Sequence, residues 1–110
     1  MKIETQEHKR VVVVTVEGRI DSATASEFED ALNEFTKQGK NNIVLDLSEV
    51  DFISSAGLRV LVTARKAVKS AGGDIVFADS SEQVLETLEI AGLDVLFEHY
   101  PDREKAIGSF

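Results

Sequence analysis

Two adjacent serines, Ser54 and Ser55, lie between a hydrophobic segment and the sequence Ala56-Gly57-Leu58, where a helical pattern begins. A helix N-terminus carries unpaired N–H groups and a partial positive charge, so an anion is stabilised there. One serine is enough to cap a helix, which leaves the other hydroxyl available. The pair is therefore either a structural cap or a phosphorylation site, with Arg59 one turn downstream able to contact a phosphate. Gly57 is unfavourable near a helix start and indicates that another backbone or a ligand approaches closely.

Catalysis by either serine is not expected. A nucleophilic serine needs a positioned base, and neither His8 nor His99 lies in a segment expected to reach Ser55. The Gly-x-Ser-x-Gly elbow of hydrolases is absent as well. A serine without its own base is suited to accept a phosphoryl group from a separate kinase. With no cysteine and two histidines, we predict no metal and no cofactor, and a protein that is not an enzyme.

The elements that must position the serines alternate along the chain. We predict an edge strand at 2–7 and apolar strands at 11–16, 43–47 and 75–78. Residues 17–19 end the strand at 11–16, and a short connection, 48–53, follows the strand at 43–47. Apolar spacing predicts helices at 24–38, with a capping box from Thr24 to Glu27, and at 58–71. A third helix is capped by Ser80-Ser81, followed by a strand at 96–99 and a helical turn at 102–107. The order predicts an α/β fold with a mixed, mostly parallel five-stranded sheet, an N-terminal hairpin and about four covering helices.

Length and charge restrict the function classes. The 110 residues fit one domain over 1–110, and the absence of a long apolar segment or a signal sequence favours a cytoplasmic protein with no membrane partner. With 12 basic and 20 acidic residues, the net charge is −8, which argues against nucleic-acid binding. We expect a monomer, with weak dimerisation through the exposed first strand left open.

Two motifs resemble those of a known family. The segment from Ile43 to Leu58 contains an apolar strand ending Leu-Asp-Leu, a connector, and serines before Gly-Leu. It resembles the signature of STAS domains of the anti-sigma factor antagonist type. The segment from Glu17 to Asp21 resembles that family's turn before its first helix. The resemblance covers essentially the whole chain in length and element order.

The resemblance implies a partner-switching cycle. An unphosphorylated antagonist of this family binds an anti-sigma factor with a histidine-kinase-like ATPase fold and so releases the sigma factor. That partner phosphorylates the switch serine, which ends binding, and a PPM-type phosphatase restores the antagonist. Alignment on Gly57-Leu58 places the acceptor at Ser55. Ser54 is an alternative, because it stands where many relatives have Asp, and Ala56 stands where they have Ser or Thr. The resemblance implies a partner-binding surface of nine residues: Asp21, Ser22, Thr24, Ser54, Ser55, Ala56, Gly57, Leu58 and Arg59.

Three other interpretations match the sequence less completely. A response-regulator receiver would use Asp46 as its acceptor, but the acidic pair and the lysine of such sites are missing, so Asp46 is expected to orient the connector by local hydrogen bonds. A STAS-type scaffold in a non-transcriptional pathway, binding a nucleotide or small ligand, would use a helix N-terminus such as that after Ser80-Ser81, although no Gly-x-x-x-x-Gly-Lys-Ser/Thr loop is present. A hydrolytic enzyme would need a general base beside its nucleophile, and the sequence offers no candidate.

Overall fold

The computed structural model describes residues 1–110, which form a five-stranded sheet in the order β1-β2-β3-β4-β5. β1 is antiparallel to β2, and the other neighbouring strands are parallel. The predicted class and element order are confirmed. The elements are β1 (Lys2–His8), β2 (Val11–Ile20), α1 (Ala25–Lys37), β3 (Asn42–Ile53), α2 (Ser55–Ser70), β4 (Asp74–Ala78), α3 (Glu82–Ile90), a 3-10 turn (Asp94–Leu96), β5 (Glu98–Tyr100) and α4 (Arg103–Gly108).

The two faces of the sheet are covered unequally. Right-handed crossovers between successive parallel strands place α1, α2 and α3 on one face, where they bury the larger core. The opposite face is covered by α4, whose Ala106 packs with Val13 and Val44. The central strands are therefore buried on both sides along part of their length, which explains their continuous apolar runs. None of the helices has the length and apolar character needed to cross a membrane.

Two strands are longer than the sequence predicts. β2 continues through the segment 17–19 to Ile20, and β3 continues through the predicted connection 48–53. The pairing shifts register after Thr15 and again after Gly18, so irregularities in the ladder absorb residues that break the alternation. Gly18 has a φ of +99°, a conformation that L side chains rarely adopt. The predicted strand ends were wrong because a bulged strand loses the two-residue period.

The helix caps were only partly predicted. Ser81 caps α3, with Oγ accepting a hydrogen bond from Val84 N at 3.3 Å, as expected. The capping box at the start of α1 is wrong, because the Thr24 side chain makes no hydrogen bond to the helix. Thr24 Oγ1 instead accepts from Asp21 N at 2.9 Å and donates to Arg19 O at 3.0 Å. The Thr24 hydroxyl therefore hydrogen-bonds to the preceding loop and not to the first turn of α1.

Candidate functional site

The two serines occupy different positions at the start of α2. Ser54 is the N-cap residue, and its Oγ accepts a hydrogen bond from Gly57 N at 3.3 Å. Its backbone N donates to Ile20 O at 2.8 Å, which joins the helix start to the end of β2. Ser55 is the first helical residue; its side chain is exposed and takes no part in the cap. One hydroxyl is therefore committed to structure and the other faces solvent.

Gly57 is required by close packing of the chain against itself. A Cβ on Gly57 would lie 2.7 Å from Ile20 Cγ2 and 2.8 Å from Ile53 Cγ1. The sequence predicted the close approach of another backbone or a ligand; the structure shows close approach by the side chains of Ile20 and Ile53, at the ends of β2 and β3, with Ile20 O at 3.4 Å as the nearest backbone atom. The glycine thus lets the first turn of α2 rest directly on the two central strands and holds the serines in a fixed position.

The loop between β2 and α1 lies beside the serines, because Ile20 and Ile53 are paired at the ends of their strands. Asp21 Oδ1 accepts hydrogen bonds from Ala23 N at 3.0 Å and Thr24 N at 3.1 Å, and it lies 3.2 Å from the Thr24 hydroxyl oxygen. Desolvation raises the pKa of Asp21, but these hydrogen bonds and the charge of Arg19 outweigh it, so the pKa lies below its ordinary value. Asp21 is an ionised carboxylate that organises a rigid loop.

The fold brings the predicted partner-binding residues together from two segments, 21–24 and 54–59. Their exposure divides them into those that can contact a partner and those that shape the surface. Ser22, Ser55 and Arg59 are exposed. Asp21, Thr24, Ser54, Ala56 and Leu58 are partly buried, and Gly57 is buried. The surface is therefore small, with the exposed serine at its helical edge.

Phe52 and Arg19 extend this surface and were missed as functional residues. They are partners in the β2–β3 ladder, and the Phe52 side chain is unusually open for a large hydrophobic residue, at 39% exposure. Arg19 Cζ lies 4.3 Å from the centroid of the Phe52 ring. Exposed aromatic and arginine side chains are typical of protein-binding hot spots. The signal in the sequence was an apolar Phe52 directly before the buried Ile53, which a strand places on the opposite face.

Asp46 is the buried charged residue of the central strand, with 4% exposure. Its Oδ1 accepts hydrogen bonds from Ser48 N at 3.0 Å and Ser48 Oγ at 2.7 Å, which confirms the predicted local hydrogen bonding. Its Oδ2 accepts from Arg103 Nε at 2.6 Å, a contact that the sequence does not predict. Desolvation raises the pKa of Asp46, but the bonds from Ser48 and Arg103 outweigh it and leave the pKa below its ordinary value.

The two histidines lie away from the serines. Neither histidine hydrogen-bonds to a serine: His8 ends β1 at the far end of the β1–β2 hairpin, and His99 Nε2 lies 3.0 Å from Asp94 O. No group of three or more His, Cys, Asp or Glu side chains is placed to hold a metal ion. What the arrangement offers is a rigid surface with one free hydroxyl at a helix N-terminus.

Comparison with known proteins gives consistent results. A family model described as the STAS domain matches residues 2–106. BtrV of Bordetella bronchiseptica, named as a candidate anti-sigma factor antagonist, is 32% identical over 110 residues, covering 100% of this chain and 95% of BtrV. The anti-sigma-F factor antagonist RsfB of Mycobacterium tuberculosis is 31% identical over 96 residues, covering 86% of this chain and 77% of RsfB. A crystal structure of a candidate anti-sigma factor antagonist from Thermotoga maritima superposes with a TM-score of 0.91 at 27% identity, covering 97% of this chain and 92% of the other.

Proposed function

This chain belongs to the STAS domain family, and we propose that it is an anti-sigma factor antagonist whose partner binding is ended by phosphorylation of Ser55. Relatives of matching length carry the antagonist name. The observation that carries the proposal is the division of roles between two serines. Ser54 caps α2, while the Ser55 hydroxyl is exposed on the first turn of the same helix.

That division favours Ser55 over Ser54 as the acceptor. The Ser54 Oγ is already engaged by Gly57 N at the helix cap, so it is the less available of the two hydroxyls for phosphoryl transfer. Modification of Ser55 disturbs no hydrogen bond of the cap. The Ser55 oxygen attacks the γ-phosphorus of ATP in the partner's active site, its proton passes to the kinase base, and ADP leaves.

The partner in this proposal is an anti-sigma factor with a histidine-kinase-like ATPase fold, which binds segments 21–24 and 54–59 of the unphosphorylated protein. Both segments are held by internal hydrogen bonds, so docking needs little backbone movement. Binding sequesters the anti-sigma factor and releases its sigma factor. The protein acts by binding, as a cytoplasmic monomer, and a PPM-type phosphatase returns it to the active form.

The effect of the phosphate is electrostatic and steric. A phosphoserine adds about −1.5 to −2 charges at pH 7. Placed next to the ionised Asp21 in an interface fitted to a neutral hydroxyl, it would cost several kcal/mol. Since about 1.4 kcal/mol corresponds to a tenfold change in affinity, we expect a loss of roughly a hundredfold or more without refolding.

Mass spectrometry with the cognate kinase and ATP tests the proposal directly. We expect one phosphate on Ser55, retained in Ser54→Ala and absent in Ser55→Ala, and a loss of binding by the phosphorylated protein in calorimetry. A phosphate on Ser54, or unchanged affinity after complete phosphorylation of Ser55, would contradict it. Tight binding with no phosphate at all would support a constitutive STAS-type scaffold instead.

A further inference from the structure

Ser55 and Arg59 lie four residues apart on the exposed face of α2. Residues with this spacing are neighbours on a helix surface, with Cβ atoms about 6 Å apart. Arg59 is the one charged residue among residues 55–64, and α2 contains no acidic residue at all. A group attached to the Ser55 oxygen therefore meets a single charged neighbour on its own helix, and that neighbour is a cation.

Arg59 has no partner in the structure, unlike most other arginines of the chain. Arg103 is paired with Asp46, Arg65 lies 3.7 Å from Asp74, and Arg19 is stacked on Phe52. Arg59 forms no ion pair and no side-chain hydrogen bond. The unpaired guanidinium of Arg59 therefore lies one helical turn from the exposed hydroxyl of Ser55.

The elements around α2 carry negative charges that would repel a phosphate on Ser55. Asp21 lies in the adjoining loop, and Asp51 lies close before Ser55 at the end of β3. α1 packs against α2 and carries further carboxylates on its surface, at Glu27, Glu29, Asp30 and Glu34. None of these acids lies within ion-pair distance of Arg59. A dianionic phosphate in this acidic neighbourhood would be drawn to the free guanidinium.

We propose that Arg59 is the internal receptor of the Ser55 phosphate, closing on its oxygens across one helical turn and holding the modified side chain in one geometry. The inference rests on the proposed phosphorylation of Ser55. A guanidinium matches phosphate oxygens in a two-bond arrangement that a lysine ammonium does not reproduce. Phosphorylation then changes two side chains of the partner-binding surface. It adds a phosphate to Ser55, and it also withdraws Arg59 from contact with the partner.

The test installs phosphoserine at position 55 during translation, so that no kinase is involved. Titration by phosphorus NMR reports the second pKa of the phosphate in wild type, Arg59→Gln, Arg59→Lys and the control Lys66→Gln. Lys66 is exposed on the same helix and forms no ion pair. We expect the pKa to be about 0.5 units lower in wild type than in Arg59→Gln, because a nearby cation favours the dianion. Arg59→Lys should recover part of the shift, and Lys66→Gln should match wild type.

Thermal unfolding of the same proteins gives a second readout. We expect Arg59→Gln to lower the midpoint of the phosphorylated protein by about 3 °C more than that of the unphosphorylated protein. Coincident titration curves for wild type and Arg59→Gln would overturn the inference. The failure of the proposed function is distinguishable, because a kinase that does not modify Ser55 leaves these NMR results unchanged.

Discussion

Arg103 Nε lies 2.6 Å from Asp46 Oδ2, and the contact joins α4 to the central strand across 57 residues of sequence. Arg103 also donates from a terminal nitrogen to Thr15 Oγ1 at 2.6 Å on the neighbouring strand. The other oxygen of Asp46, Oδ1, accepts both hydrogen bonds from Ser48, further along β3. One buried carboxylate therefore anchors the C-terminal helix and the strand that leads to Ser54 and Ser55.

Removal of Arg103 should destabilise the fold, because it leaves Asp46 buried without its counter-ion. We expect Arg103→Ala to lower the free energy of unfolding by about 2 kcal/mol, below the full cost of breaking a buried pair because Arg103 itself is 43% exposed. Urea denaturation measures the change. Lys105→Ala, on the same helix at an exposed position, is the control and should change stability by less than about 0.5 kcal/mol. Equal effects of the two variants would contradict the role of the ion pair.

Stability should depend on pH through Asp46. Its pKa is lower in the folded protein than its ordinary value, so the unfolded chain binds the proton more tightly. The stabilisation by this carboxylate is present above the unfolded pKa of about 3.9 and is lost as pH falls through the folded pKa. Asp46→Asn should therefore flatten the decline in unfolding free energy on acidification. Asp30→Asn, an exposed control on α1, should leave it unchanged; a decline of the same steepness in Asp46→Asn and wild type would refute the assignment.

A methyl group at position 57 should strain the junction of α2 with the two central strands. Its Cβ would lie 2.7 Å from Ile20 Cγ2, so side chains in the core must shift. We expect Gly57→Ala to destabilise by about 1–3 kcal/mol despite the better helix propensity of alanine. Gly108→Ala is a matched control, since no atom lies within 4 Å of its added Cβ, and it should be neutral or slightly stabilising. Thermal unfolding separates the two variants, and equal midpoints would argue against a steric requirement at Gly57.

The two serines should differ in their effect on stability. Ser54→Ala removes the side-chain cap on Gly57 N and should lower the free energy of unfolding by about 1 kcal/mol. Ser55→Ala removes an exposed hydroxyl that takes no part in the cap and should be close to neutral. Chemical denaturation of both variants gives the comparison. A larger loss for Ser55→Ala would reverse the structural and regulatory roles assigned to the pair.

Phe52 should contribute to partner binding more than to stability. We expect Phe52→Ala to weaken binding of the anti-sigma partner by about tenfold or more, because an exposed aromatic ring stacked on Arg19, which in turn contacts Asp21, is suited to burial in an interface. Ile90→Ala is the control, since Ile90 is 83% exposed and lies at the far end of α3. Calorimetry should show unchanged affinity for the control. The assignment fails if both variants bind like wild type.

Much of the architecture was predictable because it depends on local patterns. Local patterns indicated five strands and four helices in the observed order, although the fifth strand, predicted at 96–99, begins at Glu98 after a 3-10 turn that was not predicted. The ends of β2 and β3 were not predicted, since bulges interrupt the alternation on which strand prediction depends. The prediction of a capping box was wrong for a different reason. The Thr24 hydroxyl hydrogen-bonds to backbone groups of Asp21 and Arg19 in the preceding loop, and these bonds replace the one to the helix.

The sequence by itself determined the fold class, the family resemblance and the presence of a serine pair at a helix start. The tertiary structure decided which serine is free, because the extension of β3 to Ile53 and the bond from Ser54 N to Ile20 O set where α2 begins. It also decided that Gly57 serves packing, and that Arg103 is the counter-ion of Asp46. Periodicity is a property of neighbouring residues and can be read along the chain, whereas these contacts join distant segments and depend on strand register and helix packing.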